Sequence, residues 1–444
     1  MEKNELLTLT TNGYSASGDG VARHEGRAVF VRRALSGETV KARVVKTSAS
    51  AVFAQVERVL EPSPERITPA CPNFGRCGGC DFLHMTYAEE LRCKRMRVSD
   101  ALRRIGGSNI EISGAVPSPM TERYRNKAVF EAGRALDGRA VTGFYRARSH
   151  EIVPCESCLI QSETSLRAAG AVREWMDAAR VPEGFVRRVF VREGCGTQIA
   201  VVTSSAEPPR REWLVSSLRE RVPETSGILQ IAGSGAGNAA LAGELRVLYG
   251  SPYLDDTLCG LTLKLSPRAF YQVNRPQAEN LYGEVARLAA LKKGDTAFDL
   301  YCGAGAIALV LAKYAGQVYG AEIVQDAVAN ARTNAALNGI TNARFLSGDA
   351  GDAARRLELA GATPAVIAVD PPRKGLTPEI IAAIVRLAPR RVIYISCDPA
   401  TLARDIKLFA KHAYAAAEAG AFDMFPRCAH IECCCSLVNT GRLG

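Results

Sequence analysis

The chain has 444 residues, which is enough for two or three domains with separate cores. It contains no run of about 18 apolar residues, so a membrane-spanning protein is not expected. Lys and Arg outnumber Asp and Glu by 56 to 46, and the net charge of +10 favours a polyanionic partner. The N-terminus lacks the apolar core of a signal peptide, so we expect a cytoplasmic protein. In that compartment we expect the 14 cysteines to serve as metal ligands or catalytic thiols rather than in disulfides.

Residues 1–62 are predicted to form a small β-barrel, because apolar runs of strand composition alternate with glycine turns. A proline-rich stretch, EPSPERITPAC, marks the end of this unit. Residues 63–256 combine a cysteine cluster, a helical stretch (YAEELRCKRMRVSDALRRIG) and strand-like runs, so we expect a second domain whose fold the periodicity does not determine. Within it, the sequence GSGAGN at 233–238 predicts a flexible turn.

Residues 257–444 show the most regular pattern, in which short apolar runs alternate with amphipathic helices. The runs predict strands at TAFDLY, QVYGAEI, ARFLSGDA, AVIAVDPP and RVIYISC, each followed by a helix. Such alternation is typical of a parallel, doubly wound sheet. Two further apolar stretches, YAAAEAGAFDMF and HIECCCSLV, predict two strands that complete this sheet.

A ligand site is predicted where the first of these strands meets its helix. In FDLYCGAGAIAL, Gly303 and Gly305 allow the main chain to approach a ligand, and Glu322 on the next strand can bind ribose hydroxyls. NAD and S-adenosylmethionine (SAM) both fit this geometry, but the third glycine of the dinucleotide fingerprint is missing. The loop resembles that of class I SAM-dependent methyltransferases, which implies that Asp349 contacts adenine. Asp370 lies at the end of the fourth strand, where its side chain could either contact the ligand or cap the following helix.

The fifth strand ends at Cys397, in the turn SCDP. A thiol there could be a packing residue, a metal ligand or a nucleophile, and its place in the turn favours the nucleophile. We expect the N-terminus of the following helix to lower its pKa. Near the C-terminus, His430 and Glu432 should face the same side of an apolar strand. Glu432 is either at a surface edge or a functional carboxylate with a raised pKa, and we favour function.

Five motifs together resemble those of the RNA uracil-5-methyltransferases. They are FYQVN at 270–274, DLYCGAG, DPPRKG, SCDPATLARD and DMFPRCAHIE. The resemblance implies that residues 257–444 are a SAM-dependent catalytic domain, with Cys397 as the nucleophile that attacks C6 of uracil and Glu432 as the proton acceptor. It also implies that Gln272, Tyr301, Glu322 and Asp370 hold SAM, in addition to the candidates Gly303, Gly305 and Asp349 given above. The stretch ECCCSL departs from the aliphatic residues usual in relatives.

The cysteine cluster allows two interpretations. By spacing alone, Cys77, Cys80, Cys155 and Cys158 could form a zinc site. The segment CPNFGRCGGC, however, resembles the iron–sulfur site of the same enzymes, whose fourth ligand lies in a context like CLIQ. The resemblance therefore implies a [4Fe–4S] cluster on Cys71, Cys77, Cys80 and Cys158, with a structural or RNA-positioning role. Cys155 is left as a spare thiol.

Residues 5–60 resemble a TRAM domain, an OB-like barrel that binds RNA through basic and aromatic groups. We thus expect an α/β protein with a class I SAM-dependent methyltransferase domain (a Rossmann-like doubly wound sheet), preceded by the TRAM β-barrel and a central iron–sulfur α+β domain. The expected function is that of a monomer that makes 5-methyluridine in structured RNA, with 23S ribosomal RNA favoured over transfer RNA. A non-catalytic RNA-binding ribosome-assembly factor is the alternative, and Cys397 and Glu432 count against it. A radical-SAM methylthiotransferase is disfavoured, because its C-x3-C-x2-C motif does not match cysteines at 71, 77 and 80.

Overall fold

The protein is described by a computed structural model that covers residues 1–204, 207–233, 241 and 243–442. The turn predicted at 233–238 lies, except for Gly233, outside the described residues. Within the described part, no helix is both long enough and apolar enough to cross a membrane.

The N-terminal unit is a five-stranded sheet, as the apolar runs predict. Its strands are β1 (Leu6–Thr10), β2 (Gly20–His24), β3 (Arg27–Arg32), β4 (Thr39–Thr47) and β5 (Ala51–Glu61). They are ordered β1-β4-β5-β3-β2 in the sheet. Alternate side chains such as Val29, Val31 and Val40 form a buried core, which leaves the intervening residues on the outer face.

A long helix and a short strand follow, α1 (Tyr87–Arg104) and β6 (Ala115–Val116). The helix begins after Thr86, whose side chain accepts a hydrogen bond from the main-chain N–H of Glu89 and so caps the first turn.

The central unit is a mixed sheet of seven strands covered by two helices. Its elements are β7 (Lys127–Arg134), β8 (Ala140–Tyr145), β9 (Ile152–Pro154), α2 (Glu163–Ala178), β10 (Val186–Glu193), β11 (Thr197–Thr203), α3 (Arg211–Arg221), β12 (Thr225–Ala232) and β13 (Glu244–Gly250). The sheet order is β13-β12-β11-β10-β7-β8-β9, and only the pair β11–β12 is parallel. Trp175 of α2 and Phe130 of β7 are fully buried in its core.

The C-terminal unit opens with a hairpin and continues as alternating helices and strands. The elements are β14 (Leu254–Leu258), β15 (Leu261–Leu265), α4 (Arg275–Ala289), β16 (Thr296–Asp299), α5 (Ala306–Ala312), β17 (Gln317–Glu322), α6 (Gln325–Leu337), β18 (Ala343–Ser347), α7 (Ala350–Leu359), β19 (Val366–Val369), α8 (Pro378–Leu387), β20 (Arg391–Ser396), α9 (Pro399–Ala410), β21 (Tyr414–Phe422), β22 (Glu432–Asn439) and a 3₁₀ turn at Thr440–Arg442.

The large sheet has the doubly wound order β18-β17-β16-β19-β20-β22-β21-β6. Strands β16 to β20 are parallel, and β22 is antiparallel to both of its neighbours. Ile393 and Ile395 of β20 pack into the core on one face, while Val392 and Tyr394 pack into the core on the other. Burial on both faces explains why this strand is apolar throughout. The predicted parallel sheet with two closing strands is confirmed.

Part of the range predicted for the central domain joins the large sheet. Strand β6 pairs in parallel with the end of β21, with Ala115 opposite Ala421. Helix α1 packs against α9, and its Val98 and Leu102 are buried in the core of this sheet. The sequence shows no sign of this arrangement, because the pairing joins segments about 300 residues apart and a two-residue strand has no period.

Candidate active site

The predicted site residues gather at one edge of the parallel sheet. Asp299 and Glu322 are the last residues of β16 and β17, and Asp370 and Cys397 directly follow β19 and β20. These strands are neighbours in the order β17-β16-β19-β20, so their carboxyl ends lie side by side. This edge is where open α/β sheets bind ligands.

Glu432 reaches the same edge from the opposite direction. It is the first residue of β22, which pairs antiparallel with β20 up to Ser396 opposite Cys433. Glu432 is therefore adjacent to Cys397 across the strand pair, and it is only 5% exposed. Because β22 lies between β20 and β21, the alternative that Glu432 occupies a surface edge is wrong.

His430 lies outside the strand in which it was predicted, since β22 begins two residues later. Its position is set instead by Arg373, whose Nη2 stands 3.2 Å from Nδ1 of the imidazole. The ring also meets Phe425 edge to face, with centroids 5.8 Å apart.

Three carboxyl groups at this edge, those of Asp299, Asp370 and Glu432, have raised pKa values. Burial raises the pKa of Asp299 to about 7, and it raises the pKa of Glu432 well above its ordinary value. The negative charge of Asp370 adds to the shift in both cases. Oδ2 of Asp299 is buried without a hydrogen-bond partner among the described residues. A cationic ligand would relieve the repulsion between these carboxylates, and their oxygens can accept hydrogen bonds from hydroxyl groups. The site therefore suits a sulfonium compound that also carries ribose hydroxyls.

The Cys397 thiol has a raised pKa, contrary to the prediction from the helix N-terminus. Burial is the main cause, and the nearby charge of Glu432 adds to it. Arg373 acts in the opposite direction through its charge and a hydrogen bond. The N-terminus of α9 is already capped by Asp398, whose side chain accepts a hydrogen bond of 2.8 Å from Thr401 N. Arg373 is thus the side chain that favours the thiolate.

Glu322 is tied to the glycine turn that precedes α5. Its Oε2 accepts a hydrogen bond of 3.1 Å from Gly303 N, and its Oε1 accepts one of 2.8 Å from Val324 N. Gly303 and Gly305 have φ angles of 53° and 92°, which disfavour other residues. A Cβ on Gly305 would also lie 3.0 Å from that of Ala331, so both glycines are needed for this close turn.

Asp370 is not a helix cap, which was the alternative from the sequence. Helix α8 begins only at Pro378, and its cap is Thr377, whose side chain accepts from Ile380 N. Asp370 is half-buried instead, near enough to Tyr282 for its charge to add to the burial that raises the pKa of that phenol, and Gln272 lies near the same phenol and lowers it. The predicted contacts Asp370 and Gln272 are therefore close to one another.

Asp349, by contrast, is a helix cap. Its Oδ1 accepts a hydrogen bond of 2.8 Å from Gly351 N at the start of α7. The side chain is exposed, and it lies near enough to Tyr301 for its charge to add to the burial that raises the pKa of the phenol to about 12. Asp349 and Tyr301 thus lie together at the outer end of the site.

Four residues of the site were not singled out from the sequence. Asp299 and Arg373 lie within the motifs DLYCGAG and DPPRKG, so the motifs contained the signal. Phe270 and Ile323 are 66% and 68% exposed beside Gln272 and Glu322. Exposed apolar side chains of this size next to polar site residues are surfaces on which a base can pack.

The cysteine-rich stretch of β22 has a simple explanation. Cys433, Cys434 and Cys435 are fully buried in the sheet. Burial raises the pKa of all three thiols, that of Cys435 to about 12, so they stay protonated and pack as small apolar residues.

A second group of cysteines lies between the barrel and the central sheet. A cavity of about 70 Å³ is lined by Cys71, Cys77, Cys80, Cys155 and Cys158. The neighbouring Cys155 thiol and the main-chain N–H groups of residues 160 and 161 lower the pKa of Cys158. Five cysteines around one cavity, one of them with a lowered pKa, fit a thiolate-bound group. Among the described residues, no three ligating side chains are arranged to hold a metal ion, so neither zinc nor the cluster is established.

Comparison with known proteins agrees with this geometry. Residues 260–440 match the tRNA (uracil-5-)-methyltransferase family, and residues 3–56 match the TRAM domain. The chain is 36% identical to an uncharacterized RNA methyltransferase of Halalkalibacterium halodurans over 97% of its length and 96% of the relative. It is 34% identical to an uncharacterized RNA methyltransferase of Clostridium tetani, over 97% of its length and 96% of that relative.

The chain belongs to the TRAM-containing RNA (uracil-5-)-methyltransferase family. It is thus a SAM-dependent enzyme that acts on RNA. The fold of these RNA (uracil-5-)-methyltransferases is also seen in a Pyrococcus abyssi tRNA (uracil-54, C5)-methyltransferase, solved with S-adenosyl-L-homocysteine. That structure matches 97% of this chain and 100% of its own with a TM-score of 0.76, at 24% sequence identity. The comparisons confirm both the family and the fold class that were predicted from the sequence motifs.

Proposed function

We propose that this enzyme makes 5-methyluridine through a covalent bond between Cys397 and C6 of a uridine in RNA. The observation that carries the proposal is the pairing of β20 with β22, which sets Glu432 beside Cys397 at the ligand edge of the sheet. Arg373 lies close enough to favour the thiolate form of Cys397. A nucleophile and a base side by side suit a reaction that needs both on one ring.

In this reaction the Cys397 thiolate adds to C6, and the electrons of the C5=C6 bond move toward C5 and the C4 carbonyl as an enolate. SAM supplies the methyl group that C5 accepts. The Glu432 carboxylate then removes the C5 proton. The electrons of that C–H bond restore the C5=C6 bond while the C6–S bond breaks, which frees the thiolate. Burial makes Glu432 a stronger base for this step, since it raises its pKa.

We assign SAM binding to the residues around Glu322 and Asp370. The proposed contacts are Gln272, Tyr301, Gly303, Gly305, Glu322, Asp349 and Asp370. Glu322 is the one suited to the ribose hydroxyls, because its carboxylate is held at the glycine turn by two main-chain N–H groups. The buried carboxylates near Asp370 suit the sulfonium charge.

Replacing Glu322 by glutamine should weaken SAM binding by about tenfold to a hundredfold. Charge-assisted hydrogen bonds contribute roughly 1.5–3 kcal/mol, and the amide keeps the shape but loses the charge. The dissociation constant can be measured by calorimetry with SAM. Asp326→Asn, on the first turn of α6, is the matched control and should bind SAM normally. An unchanged constant in Glu322→Gln would reject the ribose assignment.

Ribosomal RNA is the proposed substrate, and 23S RNA in particular. The TRAM barrel offers a suitable surface, where Phe30 and Phe53 pair across β3 and β5 with ring centroids 5.5 Å apart. Lys46 lies opposite Phe53 on β4, and Arg32 follows on β3. Rings of this kind stack on bases while the cations contact phosphates. Transfer RNA is the second candidate, because the name of the matching family specifies it.

The decisive experiment uses the enzyme with labelled SAM and total RNA from cells that lack its gene. We expect label in 5-methyluridine at a position of 23S RNA, with the uridine flipped out of its helix to expose C6. Label confined to transfer RNA would reject the ribosomal substrate. No label in any RNA would reject the activity.

We also propose that Cys71, Cys77, Cys80 and Cys158 hold a [4Fe–4S] cluster. Protein purified without oxygen should show broad visible absorption and four irons per chain. Cys80→Ser should lose both, whereas Cys155→Ser should keep them, because this ligand set leaves Cys155 out and its thiol donates instead to the Ser157 carbonyl at 3.4 Å. Zinc in place of iron, or equal loss in both variants, would contradict this ligand set.

The division into units 1–62, 63–256 and 257–444, the monomeric state and the cytoplasmic location stay predictions. Gel filtration with light scattering would test the monomer directly. A mass of two chains would contradict it.

A further inference from the structure

The segment that leads into Glu432 is held in an unusual way. We call residues 425–429, between β21 and β22, the anchor segment. Each of its five residues hydrogen-bonds to a part of the chain far away in sequence. The bonds are Lys94 Nζ to Phe425 O (3.0 Å), Tyr124 Oη to Pro426 O (3.0 Å), Arg427 N to Glu90 Oε1 (2.7 Å), Asp81 N and Phe82 N to Arg427 O (2.8 and 3.0 Å), Cys428 Sγ to Gly79 O (3.0 Å), Ala429 N to Asp81 Oδ2 (2.9 Å) and Arg97 Nη1 to Ala429 O.

Most of these partners come from two places, helix α1 and the stretch 79–82. The start of the anchor segment is held by α1. Lys94 is fully buried, and its ammonium contacts Glu90 at 2.7 Å, Asp423 at 2.6 Å and the carbonyl of Phe425. All three of its N–H donors thus have partners, which keeps a buried cation stable.

The end of the anchor segment is held by two side chains. Asp81 accepts from the N–H of Ala429, and Arg97 donates to its carbonyl. Both main-chain polar groups of Ala429 are therefore bonded to side chains rather than to a regular element. His430 follows directly, and Glu432 begins β22 only three residues after Ala429.

We propose that Asp81 and Arg97 are positioning residues for Glu432. They bind the main-chain N–H and the carbonyl of Ala429, and so they set the point from which the chain enters β22. Asp81 also follows Cys80 directly, so the cysteine cavity is linked to the catalytic edge through one residue. This inference rests on the proposed role of Glu432 as the base for the C5 proton.

A misplaced base slows one step more than the others. Addition of Cys397 and transfer of the methyl group do not need Glu432, but release of the product does. When a reacting group is displaced by about 1 Å, its step can slow by roughly a hundredfold. The methylated uridine should then stay bonded to Cys397 for longer.

The test compares Arg97→Met and Asp81→Ala with the wild type on total RNA from cells that lack the gene. We expect at least tenfold more RNA bonded to Cys397 on denaturing gels, slower multiple turnover and a normal rate of methyl transfer to RNA in the first round. Asp81→Asn, which keeps an acceptor oxygen, should restore most of the turnover. Arg95→Met is the matched control, because Arg95 bonds to Ile112 O and not to the anchor segment.

A purely structural role would give a different result. Loss of folding lowers the amount of adduct and the unfolding temperature together, and it cannot raise the adduct. The proposal is overturned if Asp81→Ala, whose side chain is exposed, gives no extra adduct while Glu432→Gln does. If Glu432→Gln gives none either, the assignment of the base is rejected together with the positioning role.

Discussion

Replacing Cys397 by alanine should reduce methyl transfer to RNA on the order of 10⁴-fold or more. Without the thiolate, C5 of uracil cannot become an enolate, and the effect of losing a covalent nucleophile is usually of this size. Incorporation of labelled methyl groups into RNA measures it. SAM binding should be unchanged, because Glu322 and Asp370 are untouched.

The matched control is Cys195→Ser, since Cys195 is exposed and lies outside the sheet edge. It should methylate RNA at the normal rate. If Cys397→Ala retains more than a few per cent of the activity, the covalent mechanism is wrong, whatever the control shows.

The raised pKa of Cys397 adds a second expectation for the wild-type enzyme. Burial favours the thiol over the thiolate, so the thiolate fraction grows as pH rises toward the pKa. Single-turnover methylation should therefore increase with pH above neutrality until the thiol is fully ionised. A rate that falls with rising pH in this range would contradict the assignment of the half-buried Cys397 thiol as the nucleophile.

Replacing Glu432 by glutamine should convert the enzyme into one that stays bonded to its RNA. The amide cannot take the C5 proton, so the C6–S bond cannot break after the methyl group has been transferred. Multiple turnover should fall at least a thousandfold, while a large share of the enzyme appears as an RNA adduct on denaturing gels. Mass spectrometry of the digested adduct should locate the bond at Cys397.

Two controls make this result specific. Glu418→Gln changes an exposed carboxylate on the neighbouring strand β21, and it should turn over normally without adduct. The double variant Cys397→Ala/Glu432→Gln should form no adduct. Rapid turnover by Glu432→Gln, or an adduct in the double variant, would show that another residue serves as the base or the nucleophile.

Much of the catalytic unit could be predicted from the sequence, because its signals are local. Each strand from β16 to β20 is a short apolar run that ends in a polar or glycine turn. The helices α7, α8 and α9 also begin at side-chain caps, which are Asp349, Thr377 and Asp398. The motifs place Asp370 and Cys397 directly at these strand ends, and Glu322 ends the apolar run QVYGA that follows the glycine loop. In a parallel sheet all such ends lie on one edge, so the composition of the candidate site followed from the order of elements.

The chemistry of those side chains could not be predicted in the same way. The sequence pointed to a lowered pKa for Cys397, but burial and Glu432 raise it. It left open whether Asp370 caps a helix, and the late start of α8 excludes that role. The first outcome depends on groups that other parts of the chain place around the thiol, and the second depends on where the helix begins.

By itself, the sequence determined the doubly wound sheet, the cofactor class and the residues at the strand ends, since each depends on patterns within about 20 residues. Only the tertiary structure decided how Glu432 meets Cys397, how α1 and β6 join the catalytic sheet, and how Asp81 and Arg97 hold Ala429. These contacts join segments up to 348 residues apart. Burial and long-range pairing are properties of the folded chain, and they set the pKa values and the position of the base.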